Sequence, residues 1–356
     1  MKPNLRNLIS VLNEHRLDGY LVTKDVNIRY LTDFPASESW LLVSAKKTFY
    51  ITDFRYILEA STGLPGITVK RYQKSMGDEL ASLASMLKLK RIGFDDRHLS
   101  LSTYLKLQKS CRGKATLVRS NSLVEHLREV KSKFEIGQIR KALKLNLEAY
   151  GFLKKVIRPG ISEKAVFQKL EKFIRANNTS FSFDPIIASG PNSCFPHAKV
   201  TGRIIKNNEP VLVDMGMDVG GYKSDLTRVF FLGKIPQLVR EVCDAVKSAQ
   251  EKAIGKIRAG VPANEVDFQA RNYLAKRKLA QFFGHSLGHG VGLEIHEAPS
   301  LSQVSPSILK EGMVVTVEPA VYLPYKFGIR VEDMVLVTKE GCEVLSRHKE
   351  FDQICP

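Results

Sequence analysis

Short apolar runs alternate with amphipathic stretches through the first 120 residues of the chain. The apolar runs, which are typical of strands, cover residues 19–23, 40–44, 48–52, 66–70 and 91–95. Apolar positions at helical spacing are clearest over residues 78–87 and 101–111. Alternation on this scale predicts an α/β layer built on a mainly buried sheet.

The rest of the chain carries long helical patterns and strand patterns in separate blocks. The predicted helices cover residues 133–157, 162–177 and 236–258, and the predicted strands cover 210–217, 226–232, 313–322 and 329–338. This segregation predicts an α+β domain. Because 356 residues exceed the size at which one core stops growing, we expect two domains, residues 1–125 and 126–356, with a charged helical connection over 123–133.

Composition excludes a disordered or membrane-embedded chain, since 44% of the residues are hydrophobic and 26% are charged. The net charge is +17, from 54 Lys and Arg against 37 Asp and Glu. The basic residues stand singly or in pairs rather than in long runs, which favours a solvated basic surface over a nucleic-acid-binding one. We therefore expect no nucleic-acid partner.

The cysteines bear on the cellular compartment. They are Cys111, Cys194, Cys243, Cys342 and Cys355. An odd number at wide spacing without a C-x-x-C pair indicates free thiols in a reducing compartment, with Cys194 as a small buried residue. The N-terminal segment lacks the apolar core of a signal peptide, and no run of 18 apolar residues is present. The sequence thus predicts a soluble cytoplasmic protein without a membrane partner.

Two apolar strands of the second domain carry an acidic residue each, Asp214 and Asp225. Between them, residues 218–221 are typical of a turn. A hairpin centred on residues 219–220 would place the two aspartates directly opposite, with Cβ atoms about 5 Å apart. Because two bare carboxylates at that distance repel each other, the pattern indicates a bound cation.

The same arrangement recurs downstream at Glu318 and Glu332. A hairpin centred on Tyr325 would place these glutamates opposite each other. Two hairpins with a carboxylate pair each predict a pseudo-symmetric site for two metal ions, about 3.5–4 Å apart. Oxygen-rich ligation with one imidazole suits Mn²⁺, Co²⁺, Fe²⁺ or Zn²⁺.

Three of the eight histidines lie in one glycine-rich segment, residues 284–297: His285, His289 and His296. The glycines would let the backbone approach a ligand closely. The segment does not contain H-E-x-x-H, which excludes the helical zinc-protease motif.

Together these motifs resemble the metallopeptidase family that contains Xaa-Pro aminopeptidases, Xaa-Pro dipeptidases (prolidases) and methionine aminopeptidases. The resemblance rests on V-D-x-G, S-D-x-T-R, G-H-G-V-G-x-x-x-H-E, V-E-P and R-x-E-D, all in order. It implies a C-terminal pita-bread catalytic domain and a smaller N-terminal α/β creatinase-like domain. The metal ligands that it implies are Asp214, Asp225, His289, Glu318 and Glu332. Asp225 and Glu332 would bridge two divalent ions, with Mn²⁺ expected first and Co²⁺, Zn²⁺ or Fe²⁺ as alternatives.

The resemblance also implies residues that contact the substrate. They are His197, His285, His296 and Arg330. Arg330 matches an arginine of the proline-specific branch, although it could instead form a structural ion pair with Glu332 or Asp333. Ala320 departs from the more usual glycine of V-E-P-G and would narrow the pocket, whereas Tyr322 would either face the site or pack.

The implied activity is hydrolysis of the peptide bond that precedes proline, by a hydroxide that bridges the metal ions. Glu318 would carry the proton to the departing amine, and His285 or His296 would stabilise the oxyanion. Such an enzyme acts on proline-containing peptides and is expected to be a homodimer. Aminopeptidase and dipeptidase specificity remain open.

One feature of the sequence argues against each of two alternative functions. A methionine aminopeptidase would lack the N-terminal domain of about 125 residues seen in the sequence pattern. A non-enzymatic protein- or nucleic-acid-binding scaffold on the same fold would have lost one or more of the five ligands, which are all present.

Overall fold

A computed structural model of the chain describes residues 2–347. Two compact units divide between Arg128 and Glu129. The predicted boundary between residues 125 and 126 lies three residues earlier, inside a helix that spans Leu123–Glu129. His348 and Cys355 lie outside the described residues.

The first unit is built on one six-stranded sheet. Its elements are α1 (Pro3–Glu14), β1 (Gly19–Val22), α2 (Asp25–Thr32), β2 (Trp40–Ser44), β3 (Phe49–Thr52), α3 (Ile57–Gly63), β4 (Thr68–Arg71), α4 (Met76–Leu87), β5 (Arg91–Asp95), α5 (Leu101–Cys111), β6 (Thr116–Ser120) and α6 (Leu123–Glu129). The strand order is β4-β3-β2-β1-β5-β6, and β1, β5 and β6 run parallel. Strands β1 and β3 are buried at every residue, which confirms the predicted α/β layer with a buried sheet.

The second unit contains longer helices and several smaller sheets. Its elements are α7 (Lys133–Val156), α8 (Glu163–Ala176), β7 (Ser180–Phe181), β8 (Ile186–Ser189), β9 (Pro210–Met215), β10 (Met217–Val219), β11 (Tyr222–Lys223), β12 (Leu226–Phe231), α9 (Gln237–Ile254), α10 (Ala263–Ala275), β13 (Gly288–Gly290), β14 (Glu297–Leu301), β15 (Val314–Val317), β16 (Ala320–Leu323), β17 (Phe327–Arg330), β18 (Asp333–Val337) and β19 (Cys342–Val344). Short 3₁₀ helices span Gly190–Cys194 and Ala280–Phe282.

Local sequence explains where the helices of the second unit begin. At α7, the Ser132 hydroxyl accepts from the backbone N–H of Glu135, whose carboxylate accepts from the N–H of Ser132, a reciprocal capping box. Pro236 and Pro262 precede α9 and α10. The apolar faces of α9 and α10 pack with strands β15 to β18 in one hydrophobic core.

The first carboxylate hairpin has a register that differs from the prediction. Residues 220–221 both adopt positive φ, 60° and 86°, and form the two-residue turn, because glycine alone adopts that conformation without strain. The predicted centre at 219–220 is therefore wrong, and Asp214 pairs with Thr227 rather than with Asp225. The shift is two residues, so both aspartates stay on the same face of the hairpin.

The second carboxylate hairpin has the predicted register. Strands β16 and β17 pair Ala320 with Arg330, and β15 and β18 pair Val317 with Asp333, so both ladders centre on Tyr325. Glu318 and Glu332 lie between these two ladders, at equal distances along the chain from Tyr325.

The cysteine expectation holds only in part. Cys111 and Cys342 are free, and so is Cys194, which is partly exposed rather than buried. Cys243 is disulfide-bonded, so the expectation of free thiols throughout is wrong. Disulfide formation depends on which sulfur atoms the fold brings together, and spacing along the chain does not reveal this. No helix among residues 2–347 is long and apolar enough to cross a bilayer.

Candidate metal centre

Four carboxylates and one imidazole from different strands line one cavity in the second unit. Asp214 lies near the end of β9, and Asp225 directly precedes β12. Glu318 follows β15, Glu332 precedes β18, and His289 is the central residue of β13. All five face a cavity of about 830 Å³.

Close packing of neighbouring strands explains the glycines around His289. A Cβ atom at Gly288 would lie 2.0 Å from the carbonyl oxygen of Thr316, and one at Gly290 would lie 2.3 Å from that of Ala298. The glycines therefore admit strands β15 and β14. These glycines were expected to admit a ligand. Their close contact with neighbouring strands was not predicted, because the register of β13 is not evident from the sequence.

The His289 ring is oriented for ligation. Its Nδ1 lies 3.1 Å from the carbonyl oxygen of Gly290, so Nδ1 carries the hydrogen and donates it. Nε2, the nitrogen left for ligation, lies 3.5 Å from Asp225 Oδ2 and 3.4 Å from Glu318 Oε1. Asp225, His289 and Glu332 each offer one atom in a group whose members lie within 4.8 Å of one another.

One carboxylate oxygen of Asp214 accepts a hydrogen bond, and the other is orphaned, which means that it has no hydrogen-bond partner among the described residues. Oδ2 accepts a hydrogen bond from Arg330 Nη2 at 2.6 Å. Oδ1 is buried and has no hydrogen-bond partner among the described residues. A buried carboxylate oxygen without a partner is costly, and a cation would satisfy it.

The electrostatics of the cluster point the same way. Burial raises the pKa of Asp225 well above its usual value, and the neighbouring Glu332 and Asp214 add to the shift. Burial likewise raises the pKa of Glu332 well above its usual value, with Glu318 and Asp214 next. Several carboxyl groups that resist ionisation together are stabilised as carboxylates only when positive charge lies among them.

Glu318 and His289 differ from the other members. Burial opposes ionisation of Glu318, but the hydrogen bond and charge of His289 outweigh it and lower the pKa. Burial also opposes protonation of His289, but Glu318 reverses the sign and raises the pKa. A divalent ion would take the place of the proton that these two groups share.

The donor set therefore fits divalent metal ions. Four carboxylates and an imidazole match the preferences of Mn²⁺ and similar ions, and the orphaned Asp214 oxygen supplies an independent indication. Hydroxyl groups orient two of the donors: Thr227 Oγ1 donates to Glu332 Oε2 at 2.8 Å, and Thr316 Oγ1 donates to Glu318 Oε1 at 3.3 Å.

Sequence reasoning missed the role of these two threonines. Each lies in a strand, two residues from an acidic residue that borders that strand, Thr227 after Asp225 and Thr316 before Glu318. Because side chains two residues apart in a strand share a face, this spacing was the available signal.

Arg330 is buried, and its guanidinium group forms hydrogen bonds with several neighbouring residues. The alternative pairing with Glu332 or Asp333 is wrong, since Arg330 pairs with Asp214 and Arg228 pairs with Asp333 at 2.7 Å. Arg330 also donates to Thr227 Oγ1 at 3.1 Å.

Tyr322 joins this network. Its hydroxyl accepts from Arg330 Nη1 and lies 3.2 Å from His285 Nε2. Burial raises the pKa of Tyr322 to about 12. Ala320, in contrast, is fully buried in the hydrophobic core, so the expectation that its methyl group narrows the pocket is wrong.

The three remaining histidines also line the cavity. His285 Nδ1 lies 2.7 Å from the carbonyl oxygen of Ser286, so Nδ1 carries the hydrogen and Nε2 accepts from Tyr322. Burial lowers the pKa of His285 and of His296, which keeps both rings neutral. The His296 ring packs against His289 with centroids 4.4 Å apart, and His197 is exposed in the cavity wall.

Comparisons with known proteins agree with this geometry. The model of metallopeptidase family M24 matches residues 137–339, and that of the creatinase/prolidase N-terminal domain matches residues 4–130. The chain belongs to metallopeptidase family M24, and it has the predicted pita-bread catalytic domain with a creatinase-like N-terminal domain.

Three similar proteins illustrate the match. An uncharacterized peptidase of Bacillus subtilis is 36% identical over 338 residues, which are 95% of each chain. The structure of an Xaa-Pro dipeptidase from Bacillus anthracis has a TM-score of 0.92 at 36% identity and covers 97% of both chains. The structure of an X-Pro aminopeptidase from Thermotoga maritima has a TM-score of 0.89 at 32% identity, also over 97% of both chains.

Proposed function

We propose that this metallopeptidase is an exopeptidase that cleaves the peptide bond before proline. The observation that carries the proposal is the convergence of five donor side chains on one cavity, with an orphaned Asp214 oxygen among them. Two similar solved structures, of an Xaa-Pro dipeptidase and of an X-Pro aminopeptidase, suggest the substrate class.

The proposed ligands are Asp214, Asp225, His289, Glu318 and Glu332. The chemistry that divalent ions supply when bound is to lower the pKa of water and to polarise a carbonyl group. We propose two ions, because each hairpin offers a carboxylate pair, and Mn²⁺ as the native metal, because the donors are mainly oxygen atoms.

Glu318 is the proposed proton carrier. Because His289 lowers its pKa, Glu318 is ionised near neutral pH and accepts a proton at its carboxylate. It then delivers that proton to the secondary amine of proline as the peptide bond breaks. The bond before proline has no N–H, so a pocket for it cannot rely on that donor.

His296, rather than His285, is proposed to stabilise the oxyanion. The Nδ1–H of His285 is directed at Ser286, and its Nε2 accepts from Tyr322, so His285 has no hydrogen to give. His296 lines the same cavity, and its ring forms no hydrogen bond with a described residue. His197 and His285 are proposed to contact the substrate, and Arg330 to act through Asp214.

The cavity wall also carries free charges of both signs. Lys199 and Asp184 are exposed there, and no described residue forms an ion pair with either. A short peptide carries a terminal ammonium and a terminal carboxylate, which these side chains complement. This arrangement favours small peptides as substrates, and a dipeptide would use both charges.

Assembly and cellular location remain proposals, the first based on the family resemblance and the second on the cysteine pattern and N-terminal segment of the sequence. We propose a homodimer, which light scattering during size-exclusion chromatography tests. The cytoplasmic location stays a prediction, which fractionation of cells that express the native chain tests.

The activity is tested with matched peptides and added Mn²⁺. We expect hydrolysis of an Xaa-Pro dipeptide or an Xaa-Pro-Yaa tripeptide, and none of the analogues in which alanine replaces proline. Cleavage of the dipeptide alone identifies dipeptidase specificity, and cleavage of the tripeptide identifies aminopeptidase specificity. If neither proline peptide is cleaved while Mn²⁺ is bound, the proposed substrate class is wrong.

A further inference from the structure

A buried tyrosine on α7 bonds to both strands of the first carboxylate hairpin. Tyr150 Oη lies 2.9 Å from the carbonyl oxygen of Val213 and 2.6 Å from that of Leu226. Val213 directly precedes Asp214, and Leu226 directly follows Asp225. The single hydroxyl proton of Tyr150 is thus shared between the two strands, at the residues next to the aspartates.

A buried glutamine on α9 does the same for the second hairpin. Gln250 Nε2 donates to the carbonyl oxygen of Val317 at 3.0 Å and to that of Val331 at 3.2 Å. These valines directly precede Glu318 and Glu332. The amide group has two hydrogens, so each carbonyl oxygen receives its own.

Neither side chain belongs to the cavity wall. Tyr150 is 0% exposed and Gln250 is 4% exposed, so both work from behind the strands. Asn146, one helical turn before Tyr150, adds a bond from its Nδ2 to the carbonyl oxygen of Met215 at 2.8 Å, on the other side of Asp214. Four carbonyl groups adjacent to the four carboxylate residues are therefore held by two helix side chains.

From this arrangement we infer that Tyr150 and Gln250 are positioning residues that fix the spacing within each carboxylate pair and so set the affinity for metal ions. The inference rests on the proposed metal centre. Aspartate has a short side chain, and metal–ligand distances tolerate only about 0.2 Å of error, so the backbone must hold each pair in place. Loss of a hydrogen bond that orients a ligand typically weakens metal binding by about 10- to 100-fold.

The pseudo-symmetric placement distinguishes this role from ordinary core packing. A tyrosine and a glutamine share no shape or hydrophobicity, yet each joins the two strands of its own hairpin within one residue of both acids. Packing alone would not select those carbonyl groups. The Tyr150 ring also stacks on Phe230, with centroids 6.2 Å apart, and phenylalanine would keep this contact.

The test is calorimetric titration of the metal-free chain with Mn²⁺, for the wild type and the variants Tyr150→Phe and Gln250→Met. A matched control is Tyr222→Phe, which removes another buried phenol hydroxyl of the same unit, one that lies 3.3 Å from Glu135. Circular dichroism of each metal-free variant establishes that it is folded. Tyr150→Phe keeps the ring, so this variant decides the inference even if Gln250→Met does not fold.

We expect the dissociation constant for Mn²⁺ to rise about tenfold or more in Tyr150→Phe and Gln250→Met, and less than about twofold in Tyr222→Phe. Wild-type affinity in both test variants overturns the inference and leaves the proposed function intact. An equal loss in all three variants also overturns it, because the effect would then be general. If the wild type itself binds no Mn²⁺, the proposed metal centre fails and the inference fails with it.

Discussion

Replacement of Glu163 by glutamine is expected to destabilise the second unit and to disturb one wall of the cavity. Glu163 is the first residue of α8, is 0% exposed, and accepts five hydrogen bonds. They come from Ser189 N (2.7 Å), Ser189 Oγ (2.8 Å), Asn192 Nδ2 (2.9 Å), Thr201 N (3.1 Å) and Thr201 Oγ1 (2.6 Å). Ser189 and Thr201 stand at the two ends of the loop that carries His197 and Lys199, so these bonds fix both ends of that loop.

The magnitude follows from how the bonds divide between the two carboxylate oxygens. Oε1 accepts the two bonds from Ser189, and Oε2 accepts the other three. Glutamine has one oxygen, which keeps the three bonds that Oε2 accepts, whereas its NH₂ group faces the Ser189 N–H, with which it cannot bond. Two lost bonds to a charged acceptor, at about 1.5–3 kcal/mol each, predict a loss of about 3–6 kcal/mol in the free energy of unfolding.

Urea denaturation followed by circular dichroism measures this loss. The matched control is Glu171→Gln on the same helix, where the partly exposed Glu171 pairs with the exposed Arg175, and we expect a change within about 0.5 kcal/mol. If Glu163→Gln folds, its KM for a proline peptide should rise more than its kcat falls, because the displaced loop binds substrate. A loss below about 1 kcal/mol would refute the reasoning, since five buried bonds would then carry no net stability.

Three further predictions concern the metal centre and the substrate. Glu318→Ala should abolish Xaa-Pro hydrolysis while circular dichroism shows an unchanged fold, and full activity in this variant would exclude Glu318 as the proton carrier. Removal of metal with EDTA should lower the melting temperature more at pH 8 than at pH 5. Burial raises the pKa values of Asp225 and Glu332, so the metal-free fold resists their ionisation more than the unfolded chain does. The free energy of unfolding of the metal-free fold therefore falls as pH rises above about 4. An equal loss of melting temperature at the two pH values would contradict this. Lys199→Ala should raise KM for an Xaa-Pro dipeptide with little effect on an Xaa-Pro-Yaa tripeptide, and equal effects on both peptides would show that Lys199 does not bind the C-terminal carboxylate.

Sequence alone determined much of this architecture, because strand and helix periods are local properties of the chain. The five predicted strands of the first unit occur with ends shifted by at most two residues. The second hairpin register was also readable, since Glu318 and Glu332 stand at equal distances from Tyr325, whose φ of 61° marks the turn. The acidic residues were conspicuous because carboxylates rarely stand inside apolar strands.

Some local elements escaped prediction for identifiable reasons. Helix α10 (Ala263–Ala275) alternates polar and apolar residues too weakly to be recognised, and packing of its buried residues against α9 stabilises it instead. The first hairpin turn was misplaced because the sequence offers a valine and two glycines, and only the φ values of the pair decide which residues turn.

Only the tertiary structure decided which distant groups meet. Pairing of Arg330 with Asp214 joins residues 116 positions apart, and the bond from Gln250 to Val331 spans 81. Periodicity reports which face a side chain occupies, but the partner on that face depends on how helices and sheets pack, which is a property of the whole core.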